Sequence, residues 1–202
     1  MSTVLNIPII ARGKVIMPGD DAVTYKGRGG ADFRQADPHK HIHDLVLGDT
    51  SKLRDLHDTP MAEIIEVLAE LGKRLVIDEN PLLQESFQLA LQAGGLAEPI
   101  LRGVYDALPH MFSAEGMAAL VEKTIGTRYI DGWVPSDGAY DMVSIRAIGT
   151  RQLHITAGNV PVVAAMTIAR AGLTKSDILI KSPSNDPLTA NAIARTLIGV
   201  DA

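Results

Sequence analysis

The chain has 202 residues, 46% hydrophobic and 21% charged, with a net charge of −5 and no cysteine. It can bury one good core, or a domain and a half. Disulfides and cysteine metal sites are excluded. No basic run supports nucleic-acid or anionic-membrane binding, and no apolar stretch is long enough to span a bilayer. No charged n-region followed by an apolar run marks a signal peptide, so the expected compartment is the cytoplasm.

Residues 4–47 read as β-rich. Val4 to Ile10 and Lys14 to Met17 are short apolar segments separated by Ala11-Arg12-Gly13, and Pro18-Gly19-Asp20-Asp21 is a turn signal. Gly27-Arg28-Gly29-Gly30 lacks the preceding strand and following helix that a phosphate loop needs. His39, His41 and His43 alternate. On a strand their imidazoles would share one face, roughly 6–7 Å apart from one to the next. A polar surface face is the preferred reading over a metal site, because no cysteine is at hand and a fourth ligand would have to come from afar.

From residue 59 the pattern turns helical. Thr59-Pro60 opens a helix carrying Met61, Ile64, Ile65, Leu68 and Leu71 at helical spacing. Asn80-Pro81 opens a second through about Leu91, stopped by Gly94-Gly95, and Glu98-Pro99 a third through about Leu108. Ser113 caps a fourth, with Met117, Leu120, Val121 and Ile125 apolar and Gly126 as the stop. Ile130 to Val134 and Met142 to Ile148 then read as strands. Val143-Ser144-Ile145-Arg146 alternates, as an ordinary edge strand would.

Residues 151–191 run strand, tight turn, helix, strand, tight turn, helix. Leu153 and Ile155 lie on one side of the first strand, before the small-residue turn Thr156-Ala157-Gly158. Asn159 stands where a helix begins, and Pro161 suits its opening turn. Val162, Val163, Met166, Ile168 and Ala169 make that helix largely apolar. Ile178-Leu179-Ile180 reads as a parallel strand buried on both faces, with Lys181 at its carboxyl end. Ligands of open parallel sheets bind off those ends, so Asn159 and Lys181 share one edge.

The run Ile155-Thr156-Ala157-Gly158-Asn159-Val160-Pro161, followed by Ile178-Leu179-Ile180-Lys181-Ser182-Pro183-Ser184-Asn185-Asp186-Pro187, resembles the aldehyde dehydrogenase superfamily. Its Ala-Gly-Asn-Val-Pro form is similar to the long-chain acyl-CoA reductases of bacterial luminescence, the LuxC-like branch. Most dehydrogenases carry an aromatic residue where this chain has Gly158. The motifs cover the last quarter of the chain; the preceding part agrees in general pattern.

The resemblance implies an α/β fold, aldehyde-dehydrogenase-like: a helical and β-rich segment over residues 1–150 leading into an incomplete Rossmann-like parallel sheet over 151–202. It implies an arm near residues 143–146 that pairs with a second copy, and so a homo-oligomer. It implies reduction of an acyl-CoA or other acyl-thioester substrate to the aldehyde, through a covalent cysteine intermediate. Asn159 would be the oxyanion donor, an uncharged N–H₂ suited to charge developing on a carbonyl oxygen; by position alone a helix cap is the preferred reading, and the resemblance reverses that preference. Thr156, Ala157, Gly158, Lys181, Ser182 and Ser184 would line the cofactor site. Related dehydrogenases often carry a Glu, for the ribose diol, at the position of Ser184. A hydroxyl there can donate to a 2′-phosphate, which favours NADP(H).

The chain departs from the family in lacking that cysteine, and residues 151–202 supply only two strands of the nucleotide sheet. The expectation is therefore the N-terminal portion of a longer reductase, inactive by itself. The alternatives are a catalytically dead interaction module of the same fold and a short-chain acylating aldehyde dehydrogenase.

Overall fold

The computed structural model describes residues 4–27, 32–93, 95–135, 143–158 and 160–200. Gly94, Met142, Asn159 and most of the glycine-rich stretch at 28–31 lie outside them.

The amino-terminal segment forms small sheets. β1 (Leu5–Ile7) pairs parallel with β5 (Phe33–Gln35), which pairs antiparallel with β4 (Val23–Tyr25). β2 (Ile9–Ala11) and β3 (Lys14–Ile16) form a hairpin across Arg12-Gly13, whose φ values of 49° and 77° are those of a primed two-residue turn. The three histidines lie on no strand. Residues 38–41 form a turn and Ile42–Leu45 a short helix, α1. Asp37 Oδ1 accepts the His39 N–H at 2.9 Å, and the carbonyls of Asp37 and Pro38 accept from Lys40 and His41. The Asp-Pro pair starts a turn that overrides the alternation.

The helical layer follows the apolar periodicity closely. After α2 (Leu53–Asp58), α3 (Met61–Arg74) buries Met61, Ile64, Leu68 and Leu71, and turns Glu63, Glu66 and Lys73 outward. Its first free amide, Met61 N–H, is capped from far away by the Asp131 carboxylate at 3.0 and 3.2 Å, while the Thr59 hydroxyl donates back to the Asp55 carbonyl. Asn80 caps α4 (Pro81–Ala93) as its sequence position suggests, accepting from Leu82 and Leu83 N–H. Its Nδ2 also donates to the Arg74 carbonyl and to Thr196 Oγ1, so this buried amide links three helices. α5 spans Glu98–Asp106 and α6 Ala114–Thr124, the latter capped by Ser113. Ile130 belongs to the short helix α7 (Thr127–Asp131) and not to a strand; its side chain is buried against the helices. β6 (Val134–Pro135) and β7 (Ser144–Ile145) are an antiparallel pair.

β8 (Arg151–Ile155) and β9 (Asp177–Lys181) form one parallel sheet, Leu153 opposite Leu179 and Ile155 opposite Lys181. α8 (Val162–Leu173) and α9 (Thr189–Ile198) complete the βαβα order. α8 packs between β9 and α3, burying Ala164, Ala165, Ile168 and Ala169. Ile178 and Ile180 pack on the main core, but β9 is not buried on both faces. Leu153 and Ile155 on the opposite face are 63% and 74% exposed. Their apolar character is that of a face made to be covered.

Candidate functional site

At the carboxyl ends of β8 and β9 the two turns are tied together. Thr156 donates twice to the Lys181 carbonyl, from its N–H at 3.1 Å and its hydroxyl at 3.2 Å. Asn185 Nδ2 donates to the Gly158 carbonyl, and a Cβ at position 158 would collide with the Asn185 side chain. Gly158 is thus required here by close approach: a bulkier residue would push Asn185 out and part the turns. Ala157 is exposed beside it. Asn159 itself lies outside the described residues. α8 begins three residues later, at Val162, with Pro161 at its N-cap.

The second turn leaves its donors available. Lys181 is exposed, Ser182 and Ser184 are half-buried, and none of the three side chains has a hydrogen bond or ion pair to another described residue. One cation and two hydroxyls at the end of a strand can accept a phosphate or a sugar hydroxyl. The nearby carboxylate is engaged by another residue. Asp186 Oδ1 accepts from Thr189 N–H at 3.1 Å and from its hydroxyl at 2.6 Å, capping α9. Burial pushes the Asp186 carboxyl above its ordinary pKa, and the two Thr189 bonds oppose this.

Beneath that cap lies a closed hydroxyl cluster. Thr189 Oγ1 is 2.9 Å from both Ser86 Oγ and the Tyr105 hydroxyl, which are 2.8 Å from each other. Burial, with the Asp186 charge second, raises the Tyr105 pKa, so the phenol stays protonated. α4, α5 and α9 are thereby pinned directly under the Lys181–Asp186 turn. Single residues in the sequence show none of this, because its members come from three helices far apart in the chain.

A second long-range knot holds the sheet's other end. Lys175, at φ 50° and 1% exposed, donates from Nζ to Asp131 Oδ1 at 2.7 Å and to the His57 carbonyl at 3.1 Å. Arg146 donates to the same carbonyl at 2.7 Å. Gly149 permits the approach, since a Cβ there would strike the Lys175 carbonyl. A cleft lined by Leu53, Leu56, Leu68 and Ile178 also lies at this amino end, away from Lys181. Among the described residues no three His, Asp or Glu side chains gather as a metal site. No described helix is long and apolar enough to cross a membrane.

The family described as acyl-CoA reductase (LuxC) matches residues 56–202. A long-chain acyl-protein thioester reductase of Photorhabdus laumondii is 44% identical over 167 residues, which cover 81% of this chain and 33% of that protein. One of Vibrio harveyi is 32% identical over 203 residues, covering 97% and 40%. The chain therefore spans well under half of these relatives' lengths. Two solved structures share its fold. 3,6-anhydro-L-galactose dehydrogenase in complex with NAP gives a TM-score of 0.68 at 18% identity, covering 98% of this chain and 40% of that one. Aldehyde dehydrogenase 21 from Physcomitrella patens, in complex with succinate, gives 0.70 at 20%, covering 98% and 41%. The fold is thus aldehyde-dehydrogenase-like α/β.

Proposed function

The chain belongs to the acyl-CoA reductase (LuxC) family, and from that premise we propose that it supplies the cofactor side of an NADP(H)-dependent reductase of fatty acyl thioesters. The reaction consumes thioester, NADPH and a proton, and yields aldehyde, thiol and NADP. The reduced nicotinamide supplies the hydride. Lys181 neutralises part of a cofactor phosphate, and Ser182 and Ser184 donate hydroxyls to it. Asn159 donates its amide N–H to the substrate carbonyl oxygen as that oxygen gains charge. The nucleophilic cysteine comes from a segment other than these 202 residues. The observation that carries the reading is the set of three side-chain donors at the end of β9 and the turn after it, without partners among the described residues, joined by Asn185 to the turn that precedes Asn159.

Asp186 turns toward Thr189, so no carboxylate bonded to Lys181 or Ser184 opposes a 2′-phosphate. This supports NADP(H) over NAD(H). In a reductase assembled from this chain and a cysteine-bearing segment, Ser184→Glu is expected to lower kcat/KM for NADPH by about tenfold or more and to spare NADH. Steady-state kinetics with both cofactors measures it. An unchanged preference would place Ser184 away from the ribose.

The alternative of an interaction module rests on the absent cysteine and the open Leu153–Ile155 face. The cofactor experiment separates the two, since such a module would show no cofactor preference to shift.

We also propose that the β6–β7 pair is an arm joining two copies. Trp133, Val143, Ile145 and Ile148 stand 46–63% exposed around it. Ile145→Asp is expected to weaken self-association at least about tenfold, because the carboxylate would be desolvated without a partner. Sedimentation equilibrium reads this. A monomeric parent chain, or an unaltered variant, would sink the arm's role.

A further inference from the structure

Asn185 stands in the middle of a turn that its neighbours hold in place. The Pro183 carbonyl accepts the Asp186 N–H at 3.2 Å, so Ser184 and Asn185 are the two central residues of a β-turn. Pro183 and Pro187 bracket that turn and restrict its backbone. On the carboxyl side Asp186 caps α9 through Thr189, whose hydroxyl is 2.9 Å from both Ser86 Oγ and the Tyr105 hydroxyl. Those three hydroxyls come from α4, α5 and α9. The Asn185 side chain therefore leaves from a backbone that the helical core fixes.

From there its amide crosses to the other turn. Asn185 Nδ2 donates to the Gly158 carbonyl, and a Cβ at position 158 would overlap Asn185 Oδ1. That carbonyl belongs to the peptide bond that joins Gly158 to Asn159, a unit that is planar and moves as one piece. Two residues earlier, Thr156 ties the same turn to the Lys181 carbonyl, at 3.1 Å from its N–H and 3.2 Å from its hydroxyl. The Thr156 bonds fix where the turn leaves β8, and the Asn185 bond fixes the peptide with which it reaches Asn159.

The geometry points to Asn185 as a positioning residue: it holds the Gly158–Asn159 peptide, and so the root of the Asn159 side chain, where oxyanion donation needs it. This rests on the proposed role of Asn159. In its own role Asn185 touches neither the substrate nor the reacting atoms. A donor fixed before the reaction needs no reorganisation as charge develops, and its support must come from groups whose own positions are locked. An amide also suits the place by its lack of charge, since a carboxylate there could not donate to a carbonyl and would stand near the donors proposed for a cofactor phosphate.

The test is a double-substitution cycle in the reductase assembled from this chain and a cysteine-bearing segment. Asn185→Ala is expected to lower kcat by about ten- to a hundredfold, as a displacement of about 1 Å can, and to change KM for NADPH by less than about threefold. Asn159→Ala made in the Asn185→Ala background should then cost less than about tenfold, against about 10²–10³ in the parent. A donor already displaced has little left to lose, whereas a contact that only stabilises the fold would leave the two costs multiplying. Asn185→Asp keeps the shape and loses the donor. It should reproduce the kcat loss even where the alanine variant folds poorly, and its added charge should show separately in the KM for NADPH. Unchanged kcat in both position-185 variants, or costs that multiply in the cycle, would overturn the positioning role and leave the oxyanion reading standing. No loss in Asn159→Ala alone would remove that reading, and this inference with it.

Discussion

The purified 202-residue chain is expected to reduce no acyl thioester with NADPH. Reduction through a covalent intermediate needs a nucleophile that leaves as readily as it attacks, and the chain has no cysteine. Serine does not replace it. A hydroxyl at its ordinary pKa attacks only with a hydrogen-bonded base, and neither Ser182 nor Ser184 has one among the described residues. The imidazole nearest in sequence, His154, pairs with Gln152 Oε1 at 2.9 Å. The check is NADPH consumption and aldehyde formation with a long-chain acyl-CoA. A second arm adds a cysteine-bearing catalytic segment from a family member, which should restore turnover that a Cys→Ala version of that segment does not. Turnover by the chain alone would refute the cysteine mechanism for this protein.

In that complemented enzyme, Asn159→Ala is expected to lower kcat by about 10²–10³ with a small change in KM. The amide acts on charge that develops only as the thiolate and then the hydride add to the carbonyl, so its loss appears in turnover more than in binding. The competing role is a helix cap, and a second substitution separates them. Asn159→Ser keeps a good capping side chain but shortens the reach of the donor. Low turnover in both variants, with thermal stability near the parent's in the serine variant, supports the oxyanion role. Full turnover in Asn159→Ser or Asn159→Ala would leave only a cap.

Much of the fold was legible along the chain because its causes are local. The spacing of Met61, Ile64, Leu68 and Leu71 dictates an amphipathic helix, and Asn80 and Ser113 sit where free amides need an acceptor. The apolar run at Ile178–Ile180, one helix after Leu153–Ile155, dictates a βα unit with both turns at the same edge, as the register Leu153 to Leu179 shows. The family was legible there too, through Asn159-Val160-Pro161 and Lys181 with Pro187.

Where the local signal failed, a competing interaction had won. His39, His41 and His43 alternate as a strand would, yet an Asp-Pro turn sets their backbone. Ile130 has a strand former's side chain but serves a helix that packs on the core.

By itself, then, the sequence determined the helices, the parallel β8–β9 unit, the placing of Thr156 and Lys181 at one edge, and the lack of a thiol nucleophile. Each follows from residue type and spacing over a few turns of chain. Only the tertiary structure decided that Gly158 makes room for Asn185 and that Lys175 is buried against Asp131. It also decided that Arg12 and Lys52 rim an apolar cleft. These join residues 27 to 165 positions apart, and such contacts exist only after the core has packed.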